Sequence, residues 1–259
     1  MSRAAVLAGC VLLGGCATQG GVPAIVAPPG YLETEAVRVL ANSAGSPSPF
    51  SPSDPLPDAP GADRWWLAIA HAELRPPEAA QHFDCALGTR LAERPRPALT
   101  RVMNRLLVDA DRLTRLMAEA HVRPRPIRVV QGLQPCQRTN EAVRDSPSWP
   151  AGGAVAGTAY GELFATLAPD RAVEVRRIGR EIGLSRAVCR MNWTADVTDG
   201  AETGARLYAA AAATTDFAAD LEAARAELAA ARAEGLTHPG CAAERRALSQ
   251  AGRGAVSAP

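Results

Sequence analysis

The stretch Ser185-Arg186-Ala187-Val188-Cys189-Arg190-Met191-Asn192-Trp193-Thr194-Ala195-Asp196 gathers a guanidinium, a carboxamide and a carboxylate into one short segment. Asp196 follows Asn192 by four residues, one helical turn, so its carboxylate is within reach of the side chain at 192. The amide nitrogen of Asn192 has its lone pair delocalised into the carbonyl and is neither base nor nucleophile. An imidazole in the same place would be both near neutral pH.

Two further stretches belong with this one: Arg123-Pro124-Arg125-Pro126 and Ser148-Trp149-Pro150-Ala151-Gly152-Gly153. Together the three resemble the signatures of the bacterial class A non-specific acid phosphatases, in the superfamily of type 2 phosphatidic acid phosphatases and vanadium haloperoxidases. The third family signature is Ser-Arg, five residues, a histidine, three residues and an aspartate. Ser185, Arg186 and Asp196 match it, and Trp193 stands where the family often has tryptophan. The histidine position holds Asn192. In the family that histidine attacks phosphorus and the aspartate orients it, as the third member of a catalytic triad does.

The first family signature is a lysine, six residues, then Arg-Pro. Arg125-Pro126 matches, and Ala118 takes the lysine position. Arg123 and Arg115 are near enough in sequence to reach in, though nothing in the spacing requires it. The second signature is Pro-Ser-Gly-His. Pro150 and Gly152 match, Ala151 replaces the phosphate-binding serine, and Gly153 replaces the histidine that protonates the leaving alkoxide. A general acid of that kind contributes roughly 10²–10⁴ in rate. Ala118, Ala151, Gly153 and Asn192 are therefore lost positions, and Arg125, Arg186 and Asp196 are kept. The histidines are His71, His82, His121 and His238, so no shift of alignment returns one to 153 or 192.

The resemblance implies an exported phosphatase frame with impaired catalysis that still binds phosphate or a phosphomonoester through Arg125, Arg186 and Gly152. It implies no cofactor and no metal. Two rivals stand beside it. One is an active phosphatase with a rearranged site. The other is a structural envelope lipoprotein in which Arg125, Arg186 and Asp196 form a buried ion-pair network.

The pattern from Trp65 onward is helical. Leu99, Val102, Met103, Leu106 and Leu107 share one helix face, continued by Leu113, Leu116 and Met117. Ala154 to Leu167 is rich in small residues and suits close helix packing. Asp170 is placed to cap a helix carrying Val173, Val175 and Ile178, and Thr215-Asp216 to cap one with Phe217, Leu221, Ala224 and Leu228 inward. No hairpin signal or β-branched alternation occurs. The fold class expected is all-α. The resemblance, covering roughly Trp65 to Ala247, implies a compact helical bundle of the acid phosphatase and haloperoxidase type.

Arg3 and the apolar run Ala4–Leu13 read as an exported leader, too short to span a bilayer. Leu13-Gly14-Gly15-Cys16 matches a bacterial lipobox. The expected organisation is a lipoprotein signal over 1–15, a lipidated tether and Pro/Ser-rich irregular segment over 16–62, the helical domain over 63–250 and a tail over 251–259. Residues 43–61 are expected to lie over the domain and Tyr31–Ala41 to hold a short helix. Ala17 after Cys16 points to the periplasmic face of the outer membrane, with the lipid as the chain's membrane attachment. The 259 residues carry a net charge of +1, and arginine supplies all of the Lys+Arg total, since no lysine occurs. That balance gives no basic field for nucleic acid.

Cys85, Cys136, Cys189 and Cys241 remain after the leader, an even number suited to an oxidising compartment. Three pairings are open. The family resemblance favours Cys85–Cys136 and Cys189–Cys241. Zinc is the weak rival, since no Cys-x-x-Cys pair occurs.

Overall fold

The small-residue run from Gly152 to Leu167 forms a buried helix, and the rest of the chain is laid around it. The structure is a computed structural model that describes residues 29–53, 56–57 and 60–254, with side chains to residue 249. Its helices in chain order are α1 (Thr34–Ser43), α2 (Asp63–Ala70), α3 (Asp84–Leu87), α4 (Pro97–Ala120), α5 (Pro126–Val129), α6 (Glu141–Asp145), α7 (Gly152–Leu167), α8 (Ala172–Val188), α9 (Thr194–Ala212), α10 (Thr215–Ala233) and α11 (Cys241–Gly254). Short 3₁₀ turns interrupt them at Glu78–Phe83, Leu91–Glu93 and Pro169–Arg171. Among the described residues there is no strand, so the all-α class expected from the sequence holds. No described helix is long and apolar enough to cross a membrane.

Helix α7 packs most extensively on α8 and α9. Its glycines make that closeness feasible. A Cβ at Gly157 would lie 2.7 Å from the Gly179 carbonyl oxygen on α8, and one at Gly179 2.5 Å from the Gly157 carbonyl oxygen. The two backbones touch where any side chain would part them. Helix α4 covers another side of α7, burying Leu99, Val102, Met103, Leu106, Leu113 and Met117. Leu107 and Leu116 sit at the margin of that face. Phe217, Ala224 and Leu228 of α10 complete the core as expected, with Leu221 partly buried.

Chain segments before Asp63 are part of the packed body. The backbone N–H groups of Tyr31 and Leu32 donate to Asp109 Oδ2 of α4 at 2.6 and 3.1 Å, and both side chains are buried. Helix α1 then lies against α4. The expected lipoprotein signal, Cys16 and the residue 251–259 tail fall wholly or mostly outside the described residues. Two caps also differ from expectation. Asp170 lies in a 3₁₀ turn and binds Arg232, while Thr214, one residue earlier than expected, caps α10 through the Phe217 N–H.

The disulfides join Cys85 to Cys241 and Cys136 to Cys189. This corrects the pairing Cys85–Cys136 and Cys189–Cys241 implied by the family resemblance. Helix packing decides it. Helix α11 lies on α2 and starts beside α3, bringing Cys241 to Cys85 with Cα atoms 5.3 Å apart. Cys189 ends α8 in an apolar cluster with Trp65, Ile127 and Met191, against which the Cys136 loop is packed. Non-reducing peptide mapping should recover Cys85–Cys241 and Cys136–Cys189. Removing either pair by serine substitution is expected to lower unfolding free energy by about 2–5 kcal/mol in urea melts.

Candidate functional site

The turn between α8 and α9 builds the centre of the site. Arg190 adopts a left-handed backbone (φ 63°), and the Met191 and Asn192 N–H groups both fold back onto the Arg186 carbonyl at 3.0 and 3.3 Å. That closure reverses the chain and drops Asp196 into the first turn of α9. Trp193, just ahead of α9, donates its indole N–H to the Pro124 carbonyl at 2.9 Å, tying the third signature to the first.

Asp196 is fully buried and accepts from Arg123 (2.5 Å), the Ser148 hydroxyl (2.5 Å) and the Trp193 N–H (3.3 Å). Burial pushes its carboxyl up, opposed by Ser148 and Arg123. Asn192, also buried, donates its side-chain N–H to the Ser148 carbonyl at 2.5 Å. The sequence spacing puts Asp196 within reach of residue 192, yet the carboxylate is spent on Arg123 and Ser148. A neutral amide cannot offset a buried carboxylate, whereas a guanidinium can.

Arg125 binds elsewhere on the same turn. It donates to the Met191 carbonyl at 2.7 Å, to Ser146 Oγ at 2.9 and 3.1 Å and to the Val143 carbonyl at 3.1 Å. Burial and the neighbouring Arg186 lower its pKa to about 10, against the pull of Asp196. Arg186 is half-buried, and its guanidinium makes no hydrogen bond or ion pair with the described residues. Burial lowers its pKa as well. The ion-pair network of Arg125, Arg186 and Asp196 considered from the sequence is therefore not what the structure contains: Arg123 holds the carboxylate, and no ion pair joins either of the other arginines to it.

Gly153 lies directly beneath Arg186. A Cβ there would sit 2.6 Å from Arg186 Cδ and 2.8 Å from Cγ. Gly152 faces Thr114 of α4, whose Cγ2 would be 3.3 Å from an added Cβ. Ala118 is one turn beyond Thr114 on α4 and half-buried. Ala151 is buried, its N–H on the Asp196 carbonyl at 3.1 Å. The second and third signatures thus meet through Gly153 and Arg186 and through Ala151 and Asp196. Arg115 is exposed and lines a separate cavity with Thr34 and Leu116. His121 packs edge-on against Trp149, ring centroids 5.3 Å apart, in another cavity. Ser185 turns away from this cluster into bonds with Arg64, His71 and the Glu181 carbonyl.

Ser48 and Phe50, in the described part of the irregular segment, reach this end of the molecule. Ser48 binds Asp199 and accepts Arg123 on its carbonyl at 2.6 Å. Phe50 stacks on Trp193 with centroids 5.0 Å apart and lies 4.3 Å from the Arg123 guanidinium carbon. The Ser48 and Phe50 contacts were not legible in spacing. The Ser148 hydroxyl bonded to Asp196 has no exposed surface. Among the described residues, Cys85, His238 and Cys241 are the group close enough to hold a metal ion, and two of the three are bonded to each other. Arg186 and Arg125 thus bring two guanidinium groups to this cluster, and Asn192 carries no nucleophilic nitrogen.

No family model matches the chain. It is 31% identical over 180 residues to an acid phosphatase of Zymomonas mobilis, covering 68% of this chain and 67% of that protein. It is 28% identical over 151 residues to a non-specific acid phosphatase of Salmonella typhimurium, covering 58% and 60%. A non-specific acid phosphatase of Providencia stuartii is 27% identical over 137 residues, covering 52% and 55%. The chain thus spans between about half and two thirds of these relatives.

Breaking the buried pair should be costly. Arg123→Ala leaves Asp196 without its counter-charge and is expected to reduce stability by about 3–5 kcal/mol in urea denaturation. The double variant Arg123→Met, Asp196→Leu should recover much of that loss.

Proposed function

Because this chain belongs to the acid phosphatase family, we propose that it binds phosphate or a phosphomonoester at Arg186 and Arg125 and turns it over at most very slowly. One observation carries the reading. A half-buried guanidinium, Arg186, has no partner among the described residues and sits beside Arg125, whose pKa is lowered by burial and by the Arg186 charge. Two desolvated guanidinium groups without a carboxylate between them favour a tetrahedral oxyanion, which supplies both charge and several acceptors.

The chemistry is absent for stated reasons. Asn192 has no free lone pair on nitrogen, and its donor is engaged by the Ser148 carbonyl. Asp196 is bound by Arg123 and would not orient a ring at 192 in its present geometry. Gly153 supplies no proton, and a larger residue there meets the stem of Arg186. Loss of a covalent nucleophile costs on the order of 10⁶ in a well-studied protease.

The place of action is part of the same proposal. The leader, the lipobox at Cys16 and the two disulfides support an exported lipoprotein held at the envelope by its lipid, on the periplasmic side of the outer membrane. Cys16→Ala should release the protein from membrane fractions, and retention would contradict the anchor.

Vanadate titration followed by calorimetry is expected to show one site, weakened at least about tenfold by Arg186→Ala. A chromogenic phosphomonoester should give no turnover above background with the natural chain. Asn192→His should restore little, since Asp196 stays with Arg123. Gly153→His requires Arg186 to move and should weaken vanadate binding. Robust turnover by the natural chain would refute the proposal.

A further inference from the structure

A second site lies at the opposite face of Ser185, between α2 and α11. A cavity of about 310 Å³ is lined there by Trp66, Leu67, His71, His82, Glu244 and Asp63 among others, with no arginine in its wall. Its walls are mostly apolar, and Trp66 is 62% exposed.

Hydrogen bonds fix the protons on the two imidazoles. Ser185 Oγ donates to the Glu181 carbonyl at 2.8 Å and accepts from Arg64 at 2.9 Å. Its third contact, His71 Nδ1 at 2.8 Å, is then a donation from the ring. His71 Nε2 is left as a lone pair, is buried, and has no hydrogen-bond partner. The ring is 1% exposed, and burial, His82 and Arg64 hold its pKa well below the ordinary range, so it is neutral. His82 Nε2 lies 2.7 Å from the Glu73 carbonyl and must donate to it, which leaves His82 Nδ1 as a second lone pair. Asp63 is bridged to Arg246 at 3.7 Å.

The cavity therefore offers acceptors: one orphaned buried imidazole nitrogen, a second imidazole and a carboxylate. An unpaired buried acceptor costs about 1–3 kcal/mol, and a ligand that donates to it recovers that penalty. We propose that this cavity binds a small organic cation, an ammonium head on an aromatic or alkyl body, with the head donating to His71 Nε2 and Glu244 and the body against Trp66 and Leu67. An ammonium has several donors and no acceptor, matching these three groups, with Gln81 and His238 completing the polar part of the wall. An aromatic face adds attraction for the cation. Burial raises the Glu244 carboxyl to about 7, opposed by Arg177 and reinforced by Asp84, and a bound cation would favour its ionised form. A metal ion fits less well. The His71, His82 and Glu244 atoms do not gather within 4.8 Å of one another, whereas Cys85, His238 and Cys241 do.

This site does not rest on the phosphate reading, since its charge preference is opposite. The test is calorimetry on the full chain with benzylamine, benzyl alcohol and benzoate near neutral pH. Benzylamine is expected to bind at one site, with the alcohol and the acid each at least about tenfold weaker. Glu244→Gln and Trp66→Ala should each weaken benzylamine at least about tenfold while leaving vanadate binding and the melting temperature unchanged. Saturating vanadate should not displace benzylamine. The proposal is overturned if benzylamine gives no binding heat up to about 10 mM, if benzoate or the alcohol binds as tightly, or if Glu244→Gln binds it with unchanged affinity.

Discussion

The ion pair between Arg123 and Asp196 is the constraint on which this end of the molecule depends. The Asp196 side chain has no exposed surface and that of Arg123 keeps only 10%. A carboxylate so placed is tolerable only when its charge and its lone pairs are met. Arg123, Ser148 and the Trp193 N–H meet them, and each comes from a different segment. Arg123 in turn carries Ser48 and Phe50, which lay the irregular segment across the site. The turn after α8, the entry to α7 and the segment before α2 are thus held by one buried charge.

The same pair meets the buried carboxylate while Asn192 stands where the family resemblance implies a histidine. With Asn192 in place of an imidazole, Asp196 would be left with a neutral neighbour. The guanidinium of Arg123 fills that electrostatic gap. A second coupling runs between Gly153 and Arg186. Where the family resemblance implies a histidine, the glycine leaves room for the stem of Arg186 to lie across the start of α7. Arg123 thus takes the carboxylate, and Arg186 takes the space beside Gly153.

Much of the fold was legible because it rests on local periodicity. The face from Leu99 to Met117 and the small residues of α7 predict burial directly, and both are buried. The site was legible in part. Arg123-Pro124-Arg125-Pro126 must be extended, since a residue before proline avoids the helical region, and Arg125 is (φ −71°, ψ 153°). Alternate side chains on an extended stretch point the same way, which brings both arginines to this end. Which of the two takes the carboxylate depends on tertiary depth and is not written in spacing. The disulfides are the clearest case of the same limit. Cys241 reaches Cys85 only because α11 returns to α2, and Asp170 reaches Arg232 because α10 passes the 3₁₀ turn.

The central claim is that two unlike roles are divided among three arginines: Arg123 neutralises a carboxylate, and Arg186 with Arg125 awaits an oxyanion. A crystal structure of the chain soaked in orthovanadate tests this most directly. The account predicts the oxyanion within hydrogen-bond distance of Arg186, with Arg123 still on Asp196 and no bond from vanadium to a protein nitrogen. Vanadate elsewhere, Arg186 paired with a carboxylate, or vanadium bonded to a histidine would contradict it.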